Sequence, residues 1–398
     1  MKKFYLGLAV VATLFAACND DDNTNGGGEP TAENELIGEI KNDSILDASV
    51  EYILKGTLRI SDGGKLTIPA GTTIKAEPSF YSYIMVEQGG KIFINGTAAE
   101  PVTLTSNAAN PKAADWGGLH INGYAPISGV TEGTTNRAEV DANVIYGGTD
   151  ANDNSGSITY MKLMYTGARS SADVEHNGLT LNGVGNGTTI ENIYIPYGAD
   201  DAVEWFGGTV DIKNLLVVNQ DDDMFDVTEG WSGTLENAYG IWTKGFHSTE
   251  ADPRGIEADG NMDGNGPDHV GQSDFVMKNV TIINNSETER FSNTPDGAKG
   301  LRELVKIRRG AKATLENILL KNGDCDVLID FQDGRGDGLA SSSITYTVED
   351  VTFDDATYGE DGVRMPVEGD ATVTESDSNA GCPNPQELFE WTGFTEWN

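Results

Sequence analysis

A short pattern that recurs along the second half of the chain constrains the fold more than any other feature of the sequence. The pattern is an apolar residue, Glu or Lys, Asn or Asp, a second apolar residue, any residue, and a last residue that is usually apolar. Its third position is occupied, in chain order, by Asn192, Asn214, Asn237, Asn279, Asn317 and Asp350. The gaps between these residues are 22, 23, 42, 38 and 33 residues, and a weaker copy, MKLMYT, puts Leu163 at the third position.

This period selects one fold class. A repeat of about 22 residues is too short for a propeller blade of about 40–45 residues, and no helical pattern alternates with the strands. A chain that lays each turn of strands on the previous turn, about 4.8 Å away, forms a parallel β-helix, in which stacked asparagine amides can hydrogen-bond from coil to coil. The longer gaps then represent one coil plus an inserted loop. We therefore predict an all-β parallel β-helix solenoid, a single domain with loop insertions over residues 36–398.

The ends of this domain have their own patterns. The first half contains short alternating strands broken by Gly, Pro and Asn-Gly turns, as in GTLRISDGGKLTIPAGTTIKAE. Residues 36–51 are less regular and are expected to cap the first coil, because a stacked fold must cover its exposed sheet edge. The tail PNPQELFEWTGFTEWN carries Trp391 and Trp397 and is expected to cover the last coil.

The N-terminus indicates export. Lys2 and Lys3 precede the apolar run FYLGLAVVATLFAA, which ends at Cys18 and is too short to span a membrane as a helix. Residues 1–17 are therefore predicted to be a signal peptide. The segment LFAAC resembles a lipobox, which predicts lipid attachment at Cys18; the alternative is an ordinary secretory signal. Residues 18–35 lack apolar periodicity and are expected to be a disordered acidic tether.

Charge and cysteine content narrow the possible partners. The chain has 63 acidic and 26 basic residues and a formal net charge of −37. Nucleic acids and anionic lipids are excluded as partners because binding to phosphate needs positive charge. Cys325 and Cys382 could form a disulfide in an oxidising compartment, and the sequence leaves open whether they meet.

Two acidic clusters are the main candidate site. YGADDAVEWFGG contains Asp200, Asp201 and Glu204, and NQDDDMFD follows about one repeat later. Asp201 and Asp222 are 21 residues apart, so the clusters should lie on adjacent coils of one face. Two carboxylates about 5 Å apart repel by roughly 3 kcal/mol at an effective dielectric constant near 20. A cation, a shared proton, a basic neighbour or outward splay into water would offset this repulsion.

A calcium ion suits such a cluster because calcium prefers several hard oxygen ligands. The predicted metal ligands are Asp200, Asp201, Asp221, Asp222, Asp223 and Asp226. Solvated acidic turns without a metal are the alternative. Aromatic side chains beside carboxylates are a frequent means of holding neutral sugars, so the predicted ligand-binding residues are Trp205, Phe206, Trp231 and Trp242. Packing in the core is the alternative for these four residues.

Several longer motifs carry a family resemblance. DWGGLHINGYAPI (115–127), GLTLNGVGNGTTIENI (178–193), DDAVEWFGGTV (200–210) and DDDMFD (221–226) resemble motifs of Bacteroidetes outer-membrane lipoproteins with a right-handed, pectate-lyase-like β-helix. The resemblance implies a right-handed solenoid, lipid-anchored on the cell surface, that partners a TonB-dependent transporter in taking up a glycan or another nutrient. On this basis the expected function is non-catalytic binding or adhesion.

A carbohydrate-active enzyme is the second expectation. The segments Ala199–Asp201, Gln220–Asp222 and Gly245–His247 loosely resemble motifs of polygalacturonases, with a displaced histidine. This resemblance implies that Asp201 or Asp222 protonates the leaving oxygen while a partner carboxylate activates water.

A lyase would instead need a basic residue as its catalytic base. VKIRRGAK supplies Lys306, Arg308, Arg309 and Lys312, with strand alternation predicting Arg309 on the opposite face from Lys306 and Arg308. The alternative is that these residues neutralise stacked acids such as Glu303.

Overall fold

A computed structural model describes residues 34–171, 174–294 and 300–397. The predicted signal peptide, Cys18 and the predicted tether as far as residue 33 lie outside the described residues. Within the described ranges no helix is long and apolar enough to cross a membrane. The regular structure is almost entirely β-strand, beginning at Glu35.

The strands are short and follow one another closely along the chain. The first fourteen are β1 (Glu35–Ile40), β2 (Asp43–Ile45), β3 (Glu51–Ile60), β4 (Lys65–Pro69), β5 (Thr73–Ala76), β6 (Ile84–Val86), β7 (Lys91–Asn95), β8 (Val102–Ser106), β9 (Leu119–Asn122), β10 (Asn136–Ala138), β11 (Asp141–Tyr146), β12 (Gly156–Leu163), β13 (Arg169–Ser171) and β14 (Val174–Glu175). The next seven are β15 (Leu179–Asn182), β16 (Thr189–Pro196), β17 (Val203–Phe206), β18 (Ile212–Val218), β19 (Phe225–Thr228), β20 (Thr234–Trp242) and β21 (Ile256–Asp259).

The remaining elements include the few helical turns. The strands are β22 (Asp274–Asn284), β23 (Glu303–Arg308), β24 (Lys312–Lys321), β25 (Val327–Asp330), β26 (Ser343–Glu349), β27 (Val363–Arg364) and β28 (Thr372–Glu375). Two single-turn α-helices are α1 (Asp355–Tyr358) and α2 (Pro385–Leu388), and the 3-10 turns are Met262–Gly264, Phe291–Asn293 and Glu390–Thr392.

Parallel pairing between successive coils builds a solenoid, as predicted. Each of β16, β18, β20, β22 and β24 pairs in parallel with the next strand of that series, ending at β26. A second series, β15, β17, β19, β21, β23, β25 and β27, pairs in the same way and forms a separate side of the solenoid. We call this second side the charged face. The all-β parallel β-helix is therefore confirmed.

The repeated asparagines mark a corner of each coil. Asn214 donates a side-chain hydrogen bond to Asn192 across 2.9 Å, and the same contact continues through Asn237, Asn279 and Asn317. All five residues have a positive φ of 56–60°, a region in which asparagine is better tolerated than most residues. The corner therefore explains why the repeat keeps asparagine at this position.

The strand pairing changes the corner assignment of two copies of the repeat. Thr159 pairs with Glu191 and Met161 with Ile193, so Tyr160, not Leu163, occupies the corner of its coil. Asp350 directly follows Glu349, which pairs with Lys321, and so Asp350 lies one corner further along the coil than Asn317. The pattern of polar and apolar residues is similar at both corners, and only the pairing distinguishes them.

The interior is a stack of apolar columns. Ile190, Ile212, Leu235, Met277 and Leu315 occupy equivalent positions on successive coils, and each is at most 1% exposed. The chain from Asn237 to Asn279, a separation of 42 residues, still forms one coil, because Glu236 pairs directly with Lys278. The long gap thus consists of one coil plus inserted loops, as predicted.

The C-terminal segment, residues 379–397, runs back along the outside of the solenoid instead of covering the last coil. Phe389 and Phe394 pack on the outward side chains of β16, β18, β20 and β22, including Tyr194 and Leu216. Lys162 donates to the Thr392 carbonyl across 2.9 Å, which places the segment beside β12. The expected cover of the last coil is therefore wrong, because the aromatic residues of the segment pack on apolar side chains on the side of the solenoid.

The two remaining cysteines are free thiols in the structure. Cys325 is buried in the main interior, whereas Cys382 packs in the separate cluster under the C-terminal segment. The open question of a disulfide is thus answered by the fold, which holds the two residues in different clusters.

Candidate functional site

A column of charged side chains runs along the charged face. Direct strand pairing sets Glu204 opposite Asp226, Asp226 opposite Glu257, Glu257 opposite Lys306, and Lys306 opposite Asp330. Neighbouring members of such a column are about 4.8 Å apart at the backbone. One face therefore presents acids at its centre and mixed charges toward the C-terminal coils.

The two acidic clusters lie on adjacent coils, as the repeat length predicts. Asp200 and Asp201 occupy the turn before β17, and Asp222 and Asp223 occupy the equivalent turn before β19. The backbone N–H of Asp223 donates to the carboxylate of Asp201 across 2.9 Å. The register of β17 and β19 is offset by one coil, with Val203 opposite Phe225, and this offset brings the turns together.

Five carboxyl groups converge at these turns. Asp200, Asp201 and Asp222 each offer an oxygen within 4.8 Å of the other two, and Asp201, Glu204 and Asp226 form a second group of the same size. Asp201 belongs to both groups. We call the five residues the carboxylate cluster. Asp200 and Asp201 are buried, whereas Glu204, Asp222 and Asp226 are half-buried, so the cluster is partly exposed on its outer side.

Burial raises the pKa of every member of the cluster. Loss of solvation, together with repulsion from Asp252, raises the pKa of Asp222 to about 7. Burial also raises the pKa of Asp226 to about 6, although Arg308 opposes that shift. The pKa values of Asp200, Asp201 and Glu204 lie well above their usual range for the same reason, with further repulsion from neighbouring acids. At neutral pH the cluster therefore retains protons or attracts a cation.

Two of the predicted metal ligands have other partners. The carboxylate of Asp221 accepts hydrogen bonds from the backbone N–H and the hydroxyl of Thr249, the first across 2.6 Å. The carboxylate of Asp223 accepts from the backbone N–H of Arg254, also across 2.6 Å. Both aspartates thus hold the loop that follows β20 and stand outside the two convergent groups.

Glu204 is the cluster member that the predicted ligand set omits. It lies one coil before Asp226, and this spacing of 22 residues is the sequence signal that could have identified it.

The four predicted ligand-binding aromatic residues are buried, the three tryptophans in the interior of the solenoid and Phe206 in a separate outer cluster with Ile127 and Tyr146. Trp205, Trp231 and Trp242 are at most 2% exposed and Phe206 is 5% exposed. Trp205 stacks on Trp231 with ring centroids 4.6 Å apart, and Trp231 stacks in turn on Phe275. Alternation along β17 directs Trp205 inward while Glu204 points outward. The stacked tryptophan rings stabilise the coil stack, and all four predicted side chains are too buried to form the predicted sugar platform.

The basic residues of the charged face are engaged by acids. Arg254 is 4% exposed and forms ion pairs with Asp252, Glu257 and Glu303. Lys306 donates to Glu303 across 3.1 Å and to Asp330 across 2.6 Å. Lys306 therefore neutralises stacked acids, which is the alternative role predicted for it from the sequence.

Arg309 departs from the predicted alternation. It follows the end of β23 with a φ of 52°, and its guanidinium pairs with Asp259 on the same side as Arg308. Strand alternation does not apply past the end of a strand, and this explains the difference. The displaced histidine, His247, is exposed on the surface of a loop. Its ring nitrogen Nδ1 lies 3.3 Å from the Glu287 carbonyl oxygen.

Comparisons with known proteins give one family. Residues 38–397 match the family described as "Pectate-lyase like beta helix domain". No curated protein matches the sequence. Among solved structures, the chain is similar to the catalytic domain of a GH87 alpha-1,3-glucanase variant in complex with tetrasaccharides, with 12% sequence identity and a TM-score of 0.26. The match covers 82% of this chain and 64% of that chain, which is less than two thirds of its length.

Proposed function

The chain belongs to the pectate-lyase-like β-helix domain family, and we propose that it acts on carbohydrate by hydrolysing a glycosidic bond at the carboxylate cluster. This proposal rests on the two sets of three converging carboxylates. The sets share Asp201, and together they include three half-buried residues, Glu204, Asp222 and Asp226. Acid–base hydrolysis needs two carboxyl groups with different protonation states beside one bond.

Two members of the cluster have suitable proton affinities. Asp222, with a pKa of about 7, is protonated in a large fraction of molecules at neutral pH and donates its proton to the leaving glycosidic oxygen. Asp226, with a pKa of about 6, is mainly ionised and accepts a proton from the water that attacks the anomeric carbon. The glycosidic C–O bond breaks as the new C–O bond to water forms.

Calcium-dependent glycan binding without catalysis is the second candidate. It is favoured by the distances within the cluster, because three carboxylate oxygens within 4.8 Å of one another match the hard oxygen ligands that calcium prefers. In this alternative a calcium ion would be held by Asp200, Asp201 and Asp222, or by Asp201, Glu204 and Asp226. The sugar would then be bound through its hydroxyl groups.

The cellular setting is proposed from the sequence. The lipobox-like segment before Cys18 and the acidic run after it support a lipid-anchored protein on the outer membrane surface. A TonB-dependent transporter that imports the released or bound sugar is the proposed partner. This part of the proposal depends on the family resemblance of the sequence motifs.

The test compares three variants on a panel of polysaccharides, with reducing ends measured after incubation. Asp222→Asn and Asp226→Asn should each reduce hydrolysis at least about 100-fold, since general acid–base catalysis contributes that much or more. Asp274→Asn is the matched control, because Asp274 pairs with Lys312 on another side of the solenoid. Absence of hydrolysis by the unaltered protein on the whole panel would overturn the catalytic proposal.

Calorimetric titration with calcium separates the second candidate. Micromolar binding that is lost in Asp222→Asn, together with glycan binding that needs calcium and no release of reducing ends, would favour binding without catalysis. Unchanged calcium binding in that variant would count against the cluster as a metal site.

A further inference from the structure

A concave site lies on the C-terminal coils, apart from the carboxylate cluster. A cavity of about 470 Å³ opens there, within the size range of ligand pockets. We call it the C-terminal cavity, and its principal lining residues are Phe291, Arg302, Asp326, Asp330, Tyr358 and Arg364. Asp330 lies three strand pairings from Asp226 along the charged face. The two sites are thus separated by about 14 Å of stacked strands.

Most charges at the base of this cavity are already satisfied. Lys306 donates to Glu303, Asp330 and the Gln332 carbonyl, which uses all three protons of its ammonium group. Asp330 also accepts from Arg364 across 3.3 Å. This network forms a rigid floor, and the groups with free hydrogen-bonding capacity lie elsewhere on the cavity wall.

Arg302 is the group with the most free capacity. Among the described residues it is the only arginine whose guanidinium makes neither a hydrogen bond nor an ion pair. Its guanidinium carbon lies 3.6 Å from the centre of the Phe291 ring. This contact with the ring restrains the guanidinium at the cavity wall and leaves its N–H donors without a partner within the described ranges. A fixed donor group loses little entropy when a ligand binds.

An acceptor stands beside this donor. Asp326 is the residue next to Arg302 on the adjacent coil, since the Asp326 backbone N–H donates to the Arg302 carbonyl across 2.9 Å. Its carboxylate accepts from the Ser292 backbone N–H across 3.1 Å, and Arg290 lies 3.6 Å away. A carboxylate has room for further donors. The wall of the cavity therefore offers a donor and an acceptor side by side.

Charge decides the class of ligand. Five acidic and three basic side chains line the cavity, and the chain has a net charge of −37, so a polyanion would be repelled. A sugar hydroxyl both donates and accepts, and two neighbouring hydroxyls match an arginine beside a carboxylate. We propose that the C-terminal cavity is a recognition site for an uncharged sugar residue, bound through Arg302 and Asp326. This inference rests on the proposed action on carbohydrate and specifies a neutral glycan.

The experiment uses the purified full chain and a glycan array that carries neutral tetrasaccharides of gluco, galacto, manno and xylo configuration beside trigalacturonate. The neutral tetrasaccharide with the highest signal is then titrated by calorimetry. Arg302→Gln should weaken its binding at least about tenfold, because the positive charge and the forked arrangement of guanidinium donors are lost. Arg137→Gln is the matched control, since Arg137 is exposed and donates to the Ala142 carbonyl on a distant hairpin.

The possible results test the C-terminal cavity separately from the carboxylate cluster. Equal affinity of Arg302→Gln and the unaltered protein would overturn the cavity proposal and leave hydrolysis at the cluster untouched. Preferred binding of trigalacturonate, or no binding to any sugar on the array, would also overturn it. Asp274→Asn should retain tetrasaccharide binding within about twofold, because Asp274 pairs with Lys312 on another side of the solenoid. Circular dichroism melting of Arg302→Gln and of a second variant, Arg302→Lys, controls for loss of folding.

Discussion

The backbone N–H of Asp223 donates to the carboxylate of Asp201 across 2.9 Å and so joins the acidic turns of two adjacent coils. A peptide N–H that faces a carboxylate partly offsets the repulsion between the clusters. It also fixes Asp201 at the centre of both convergent groups. The turn that carries Asp223 thus positions a side chain of the neighbouring coil, and this relationship makes the cluster a product of coil stacking.

The contribution of Asp222 to the stability of the protein should fall as the pH rises from about 4 to 7. The folded-state pKa of Asp222 is raised to about 7, whereas an aspartate in the unfolded chain has a pKa of about 3.9. In that interval the folded chain binds more protons at this residue, so the contribution of Asp222 is greatest at low pH and is lost as the pH rises through the folded-state value.

A variant isolates this contribution. Asp222→Asn should be more stable than the unaltered protein at pH 8 by about 1 kcal/mol or more, and nearly equal to it at pH 4, because one pKa unit corresponds to about 1.4 kcal/mol. Urea unfolding at both pH values measures the difference. Parallel pH profiles for the two proteins would show that Asp222 has an ordinary pKa.

The asparagine corner should tolerate glycine better than alanine. Asn237 has a φ of 60°, donates to Asn214 and accepts from Asn279. Asn237→Ala should cost about 2–4 kcal/mol, because it loses two hydrogen bonds and strains the backbone. Asn237→Gly should cost about 1 kcal/mol less, since glycine adopts positive φ freely. Equal unfolding free energies for the two variants would argue against backbone strain at this corner.

Arg254 should be essential to the stability of the charged face. Its guanidinium is buried among Asp252, Glu257 and Glu303, so Arg254→Met leaves buried carboxylates without a counter-charge. The expected cost is about 3–5 kcal/mol. Arg169→Met is the control, because Arg169 pairs with Glu175 and Glu250 nearer the surface and should cost about 1 kcal/mol or less. Denaturant unfolding compares the two, and similar losses would contradict the prediction.

Deleting the C-terminal segment, residues 379–397, should expose an apolar surface without unwinding the coils. Tyr194, Leu216, Tyr239 and Ile283 would lose their cover. We expect increased binding of an apolar dye and a lower thermal midpoint, while the far-ultraviolet circular dichroism of the solenoid is retained. Trp397→Ala, which removes a ring packed on Tyr239, should shift the midpoint in the same direction by less. Loss of the β-sheet signal on deletion would mean that the segment is required for coil formation.

The fold was predictable because a solenoid repeats its local rules. The coil length, the corner asparagines and the alternation of apolar residues are all properties of short segments, and Asn192 and Asn214 meet because the 22-residue spacing returns the chain to the same corner. The same spacing predicted that Asp201 and Asp222 would lie on adjacent coils. Where the period was obscured by insertions, as at Asp350, the sequence pattern gave the wrong corner.

The sequence alone therefore determined the coil length, the parallel stacking of successive coils and the proximity of the two acidic turns. These properties depend on residues close together in the chain. Only the tertiary structure decided that Trp205 and Trp231 face inward and that the Asp221 carboxylate accepts hydrogen bonds from Thr249. Only it showed the pairing of Arg254 with Glu303 and the free guanidinium of Arg302. These outcomes depend on which side chains of different coils and inserted loops meet, and such contacts have no signature in local sequence.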